Sequence, residues 1–371
     1  MKVFYTILLA SSLMLVSSCK DDETPGENPP VTENPGDNQQ EQDYISEFAH
    51  CRLMGLKGKP KEMIERRIQE EDGETFEVPY KYYFNEKGNI IKYDPFGETE
   101  AESRWIPVDA RINTYQYDDE DRLVVATFHT VGVDGDDEVY TIEYGDHDLY
   151  VPLPFAVGTI DFILQKGVKS VKINGKKILE CDGSKVEYSN EQSAGFFKVL
   201  VTGTYMYKNS DYPTSLSEIK TVGESVNSTD NVKYSFSEKG YLLKEEKQSD
   251  MSGEYGMPEG SYYEKTVREY YPNRYLAPKN VTFERQSSIE GMEINLKYSL
   301  QYWYNDKNLL TGIVRTDDLE GGTNGAEESY SYSEFDEHEN WVDATYWLNT
   351  DVDETHITGN FTVKRSFTYW E

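Results

Sequence analysis

Downstream of residue 44 the chain alternates apolar and polar positions with a period of two. Tyr115-Gln116-Tyr117, Val139-Tyr140-Thr141-Ile142-Glu143-Tyr144 and Phe361-Thr362-Val363-Lys364-Arg365-Ser366-Phe367 are clear instances. Alternate positions of a pleated strand share one face, so the pattern predicts strands with one apolar side. The expected fold is all-β: an antiparallel sheet built from repeated aromatic-rich hairpins, with one short N-terminal helix. Helical spacing is confined to Asp43 to Met54, where Ile45, Phe48, Ala49 and Arg52 fall on one face. Lys61 to Gln69 fits either element. Ile64 and Ile68 have helical spacing, Glu62-Ile64-Arg66-Ile68 also fits an alternating strand, and Pro60 opens both equally well.

One unit recurs: aromatics at alternate positions, an acidic or Asn residue, a turn, and then aliphatics. It reads Tyr82-Tyr83-Phe84-Asn85-Glu86-Lys87-Gly88-Asn89-Ile90-Ile91, then Tyr115-Gln116-Tyr117-Asp118 through Leu123-Val124. It returns at Tyr234-Ser235-Phe236-Ser237 through Leu242-Leu243, at Tyr302-Trp303-Tyr304-Asn305 through Leu309-Leu310, and at Phe335-Asp336 through Trp341-Val342. Strand aromatics leading into a turn with Gly, Asn or Asp, followed by a return strand, predict a hairpin. Weaker copies end at Tyr144, Tyr207, Tyr271 and Tyr369, which makes most steps 27 to 35 residues. Units this small cannot bury a face alone and depend on their neighbours. Val151 to Leu200 breaks the pattern as an insertion or a decayed unit.

The amino-terminus has a different character. Met1 and Lys2 precede the apolar run Val3 to Val16, and Ser17-Ser18 stand directly before Cys19. The run is short for a bilayer span and has the layout of a secretory signal. Small residues before Cys resemble a bacterial lipobox, which implies that residues 1–18 are a signal peptide and that Cys19 carries the lipid. Lys20-Asp21-Asp22-Glu23 resembles the acidic surface-export signal of Bacteroidetes lipoproteins. That resemblance implies an outer membrane lipoprotein exposed at the cell surface, with the membrane as partner only through the anchor. Thr24 to Asp43, with Pro25, Pro29, Pro30 and Pro35 among polar residues, continues 19–43 as a disordered tether. Drawn out in polyproline geometry, it reaches roughly 75 Å at about 3.1 Å per residue. Residues 44–371 are the β body.

The recurring unit resembles the YD (RHS-type) repeat, Tyr-x-Tyr-Asp-x-x-Gly-x-Leu. Leu56-Lys57-Gly58-Lys59-Pro60-Lys61-Glu62 resembles the strand that opens such arrays, which favours a strand over a helix for Lys61 to Gln69. The pitch is longer than usual for YD repeats, and several copies lack the Gly or the Asp. Tyr93-Asp94-Pro95-Phe96-Gly97 resembles an RHS core element, but it lies near the start of the array and is read as a turn.

Charge narrows the functions. With 68 Asp and Glu against 37 Lys and Arg in 371 residues, the net charge is −31, which repels phosphate backbones and excludes nucleic acid as a partner. The five histidines, His50, His129, His147, His338 and His356, lack the spacing of a metal site or a nucleophile partner, so no metal, cofactor or catalytic residue is assigned. Asp134, Asp136 and Glu138, and Asn349, Asp351 and Asp353, could converge on calcium but read as solvated turns. Cys51 and Cys181 could pair, with two buried free thiols as the default. Most aromatics are expected in cross-strand packing. Among Trp105, Trp303, Trp341, Trp347 and Trp370, Trp341 takes the aliphatic place of its unit and belongs to the core. Trp303 alternates with Tyr302 and Tyr304 and faces outward if they face inward, which makes it the ligand-stacking candidate. The sequence therefore suggests a lipid-anchored, surface-exposed, non-catalytic binding or scaffold protein for a glycan or protein ligand. The alternative is a secreted carbohydrate-active enzyme using an Asp/Glu pair.

Overall fold

The structure, a computed structural model, describes residue 46 and residues 48–71, 74–95, 111–130, 137–194, 197–223, 225–252, 260–272, 274, 276–289, 292–317, 327–352 and 355–371. Twenty strands form one antiparallel sheet in which each pairs with the strand before it and the strand after it. The first, Pro60–Glu71, pairs with both the second, Glu74–Phe84, and the last, Thr355–Tyr369, so the sheet closes into a barrel. Lys61 to Gln69 is thus strand. The order is interrupted once: Glu138–Tyr144 pairs with Val168–Ile173, and the intervening segment holds a separate two-stranded sheet, Tyr150–Pro152 with Leu164–Lys166.

Alternation divides the two faces. Tyr80, Tyr82 and Phe84 are buried on the inner face, as are Met63, Tyr115, Tyr302, Tyr330, Tyr346 and Phe361. The outer face is polar and carries ion pairs such as Arg66–Glu77 at 2.9 Å, Lys185–Glu187 at 2.6 Å and Lys265–Glu246 at 3.1 Å. Where the inner face must bring a ring close to backbone, glycine makes room. The Tyr188 ring lies over Gly203 of the neighbouring strand, where any Cβ would overlap it.

The five recurring units close in one and the same turn, and an antiparallel ring places all five on one rim. In each, the first turn residue and the fifth bond N–H to C=O, and the fourth donates back to the first, at 2.8–3.0 Å. The side chain of the first residue accepts as well: Asn85, Asp118, Asn305 and Asp336 each take the amides of the third and fifth residues, and Ser237 takes that of the fifth. The fourth residue has positive φ, at Gly88, Asp121, Gly240, Asn308 and Glu339. This accounts for the Asx residue at the first place and for Gly or Asn at the fourth in most copies.

Behind each turn the register slips by a bulge, as between Gln116 and Tyr117 opposite Leu123. Behind several of the turns the strand that follows supplies a tyrosine whose hydroxyl donates to the carbonyl there. Tyr117 bonds Ile90 at 2.7 Å, Tyr144 bonds Leu123 at 2.8 Å, Tyr304 bonds Pro278 at 3.0 Å and Tyr332 bonds Leu310 at 2.8 Å. Three of the five units, and the weaker one that ends at Tyr271, are thereby clasped by the next, with an acceptor that the ladder leaves unpaired now satisfied.

The helix is shorter than its sequence span. Among the described residues only His50–Leu53 is helical, and Phe48, expected on its apolar face, is 38% exposed whereas His50, Cys51 and Leu53 are buried. The cause is tertiary: the Cys51 amide donates to the Gly88 carbonyl at 2.9 Å, and the Ile90 amide donates to His50 Nδ1 at 3.2 Å, which ties this turn to the barrel rim. The Val151 to Leu200 stretch also divides. Residues up to Lys166 pack Val151, Leu153, Val157, Ile160 and Ile163 into the core, Phe155 meets Phe128 and Tyr140, and Val168 onward returns to the sheet. Cys51 and Cys181 are both buried and are not joined to each other by a disulfide.

At the seam, Glu65 of the first strand accepts two hydrogen bonds from Arg365 of the last at 2.8 and 3.0 Å and one from Arg67 at 3.0 Å, all inside. Burial raises the Glu65 carboxyl, but the two guanidinium groups outweigh it and hold it below the ordinary range. Glu65→Gln should cost about 3 kcal/mol near neutral pH, because Arg365 loses its counter-charge while remaining buried. The stabilisation exists above the unfolded carboxylate pKa and disappears as pH falls through the lowered folded value, so the deficit should shrink in acid. Urea unfolding over a pH series checks both; a variant as stable as the parent at pH 7 contradicts the seam's role.

Candidate binding surfaces

Trp303 lies in the strand Met292–Tyr304 between two inward side chains. Tyr302 is 6% exposed and the Tyr304 hydroxyl is spent on Pro278, whereas Trp303 is 56% exposed on the outer wall. Alternation leaves it no other face. Thr311 Oγ1 donates to its carbonyl at 3.2 Å, which fixes the strand end beneath it. Trp341, by contrast, is buried, with the Arg365 guanidinium 3.6 Å above its ring. Trp347 stands on the outer face between buried Tyr346 and Leu348 and is half-buried. Trp370 sits at the rim under Lys61.

A second concavity opens at the turn-bearing rim, a pocket of about 140 Å³ lined by Phe48, His50, Leu53, Tyr150, Ile163 and Tyr212 among others. Gly240 belongs to its wall because the Tyr212 hydroxyl occupies the place where a Cβ would stand. The lining is mostly apolar and suits a small uncharged group. His50 is not a base for chemistry there: burial pushes its pKa down to about 4, and its Nδ1 already accepts the Ile90 amide. The imidazole is a neutral structural acceptor.

Charged side chains on the inner face come as compensated sets. Buried Asp230 meets Lys247 at 2.9 Å and Lys220 at 3.2 Å, Arg268 pairs with Glu245, and Arg285 pairs with Glu264 at 3.2 Å while lying over the Tyr262 ring. Such sets largely spend their charges on one another.

Among the described residues no group of three or more His, Cys, Asp or Glu is placed to hold a metal. Glu138 pairs with Arg111 at 2.6 Å, while Asp134, Asp136 and Asp353, and the side chains of Asn349 and Asp351, lie outside the described residues. Cys19, the Lys20, Asp21, Asp22 and Glu23 signal, the tether, Trp105, Phe96 and Gly97 also lie outside them. Two features of the structure are not evident from local sequence spacing: the tyrosine clasps and the structural role of His50. Tyrosine in place of phenylalanine at Tyr117, Tyr144 and Tyr304 was the available signal for the first, since a Phe would have packed as well.

No family model matches the chain, and no curated protein matches it. Solved structures with some likeness include a porin-like protein from Bacteroides uniformis, 11% identical, covering 84% of this chain and 99% of that one with a TM-score of 0.31. A porin-like protein from Bacteroides vulgatus, 11% identical, covers 64% and 95% with a TM-score of 0.26. A TcdB2–TccC3 structure, 9% identical, covers 80% of this chain and 24% of that one with a TM-score of 0.15. Likeness at this level transfers neither fold nor function.

The His50 environment makes a testable pH dependence. An unfolded chain binds a proton at this histidine below about pH 6.5, while the folded state refuses it until about pH 4. Folding stability should therefore fall across that interval as pH drops, by up to about 3 kcal/mol from this group. His50→Gln keeps an acceptor for the Ile90 amide but does not titrate, so the difference between parent and variant in urea unfolding should slope between pH 6.5 and 4. Parallel curves would show that His50 is solvated.

Proposed function

We propose that this chain is a lipid-anchored outer membrane protein, displayed at the cell surface, whose barrel of YD-type hairpin units binds a ligand on its outer wall without catalysis. The observation that carries the reading is Trp303, a large aromatic 56% exposed on a wall that is mostly polar. An aromatic of that size left uncovered beside well-packed tyrosines is the kind of anchor at which binding energy concentrates.

The wall also bears on how the protein meets the membrane. A lipid-facing barrel needs an outward apolar band about 25 Å tall. Here the described outward positions instead include Lys, Glu, Thr and Ser, with Leu200, Met206 and Ile219 as scattered apolar exceptions. This supports a barrel standing in water, with attachment left to Cys19. The segment after the tether meets the body at the rim where the C-terminal end also lies, since the Trp370 amide donates to the Lys59 carbonyl at 2.9 Å.

Attachment and display have separate tests. Cys19→Ala should abolish incorporation of labelled fatty acid and release the protein into the soluble fraction; continued labelling contradicts the anchor. Neutral residues in place of Lys20 to Glu23 should keep the lipid and reduce cleavage by an external protease, and unchanged accessibility counts against that signal.

Binding is tested at the aromatic. Trp303→Ala should weaken retention of the ligand by about three- to tenfold, the scale of one aromatic contact, and leave the melting temperature nearly unchanged. The screen is a glycan array and a pull-down from the native cell surface. A large loss of stability would assign Trp303 to packing, and turnover of a polysaccharide abolished by one Asp or Glu substitution would overturn the non-catalytic reading.

A further inference from the structure

The strand register places Trp303 in a straight row on the outer wall. Trp303 lies opposite Gly312, Gly312 opposite Ser329, Ser329 opposite Trp347, and Trp347 opposite Asn360. Directly opposed residues share a face, so all five look outward. The two tryptophans stand three inter-strand steps apart, roughly 14 Å at about 4.8 Å per step. Between them the floor is low: Gly312 has no side chain and Ser329 has a short exposed one.

The row is also rigid. Each member has its chain neighbour in the inner aromatic layer: Tyr302, Ile313, Tyr330, Tyr346 and Phe361 are all buried in one cluster. Tyr330 stacks on Tyr346 at 5.7 Å and Tyr346 on Phe361 at 4.8 Å, so the wall behind the row is a continuous packed layer. Preorganisation of this kind spares a binding partner the cost of ordering the site.

Its chemistry differs from the rest of the wall. Gln301, Val314, Ser331, Thr345 and Thr362, the described side chains that flank the row on the same face, are all uncharged. In a chain with 28% charged residues, that concentration of amide and hydroxyl groups around two indoles selects against charged ligands. Indole faces stack on the C–H faces of pyranose rings, and neutral hydroxyls and amides bond sugar hydroxyls without desolvating a charge.

We infer that Trp303 and Trp347, with Gly312 and Ser329 as the floor between them, form one binding row for an uncharged, extended oligosaccharide laid across the strands. The inference rests on the binding reading of Trp303 and adds to it a second stacking residue, a direction and a ligand class. A ribbon-like β-linked chain presents flat faces along its length and can touch both rings, whereas a coiled α-linked chain of equal length cannot lie along a straight row. A disaccharide is too short to engage both.

The test uses the full mature lipoprotein in detergent, with cellohexaose, xylohexaose, cellobiose, maltohexaose and hexagalacturonate titrated by calorimetry. Cellohexaose or xylohexaose should bind more tightly than cellobiose and than the coiled or charged hexasaccharides. Trp347→Ala and Trp303→Ala should each weaken hexasaccharide binding by about three- to tenfold. Ser329→Lys, which raises a long side chain from the floor without touching either indole, should do so at an unchanged melting temperature. Loss of binding in Trp303→Ala with no change in Trp347→Ala and Ser329→Lys would overturn the row and leave the single-residue reading standing. No effect of Trp303→Ala would overturn both. Equal binding of hexagalacturonate would overturn the uncharged class, and failure of both β-linked hexasaccharides to bind would overturn the oligosaccharide assignment in favour of a protein partner.

Discussion

The structure depends on one long-range pairing, that of the first strand with the last. Met63 to Gln69 lie beside Phe361 to Phe367, and the buried Glu65–Arg365 pair locks the register about 300 residues apart in the chain. Without that seam, Pro60–Glu71 and Thr355–Tyr369 would be two long unpaired edges, each a template for aggregation. With it, every strand of the barrel has two neighbours and the inner face becomes a closed surface. The loop closed by this contact is nearly the whole body, so its entropy must be met by the sum of local hairpins formed first.

The local units make that sum possible. An Asx or Ser side chain organises each repeated turn, the bulge behind it sharpens the bend, and in three of the five a tyrosine from the next strand takes the carbonyl there. This explains tyrosine where phenylalanine would fill the same volume. The hydroxyl converts packing neighbours into a directional chain of contacts, so that one hairpin defines where the next must sit.

Division of labour between the two faces then follows. Rings and ion pairs are consumed within the barrel, and the described outer wall is mostly polar. What is left for recognition is shallow and outward: Trp303, Trp347 and the low floor between them, carried on a packed aromatic backing. A surface of that shape suits an extended ligand contacted along its length, and the rim pocket beside neutral His50 suits only something small.

Period-two alternation by itself determined that the chain is strand-built, that Trp303 opposes Tyr302 and Tyr304, and that Trp341 is core, because a side chain's face on a strand depends only on its parity. The turns were equally legible at Asn85, Asp118, Ser237, Asn305 and Asp336, since an Asx or Ser oxygen acts on amides two and four residues away. Tertiary structure alone decided the rest. Whether the sheet stays open or closes depends on a contact between residues 65 and 365, which no local pattern encodes. The helix contracted to His50–Leu53 because the rim amides of Cys51 and Ile90 found partners across the barrel. Residues 148–166 turned inward because the ring offered them a lining of Tyr82, Phe128 and Tyr140. Trp347 came into line with Trp303 only through the register of four adjacent strands, a relation set by pairing partners and not by spacing along the chain.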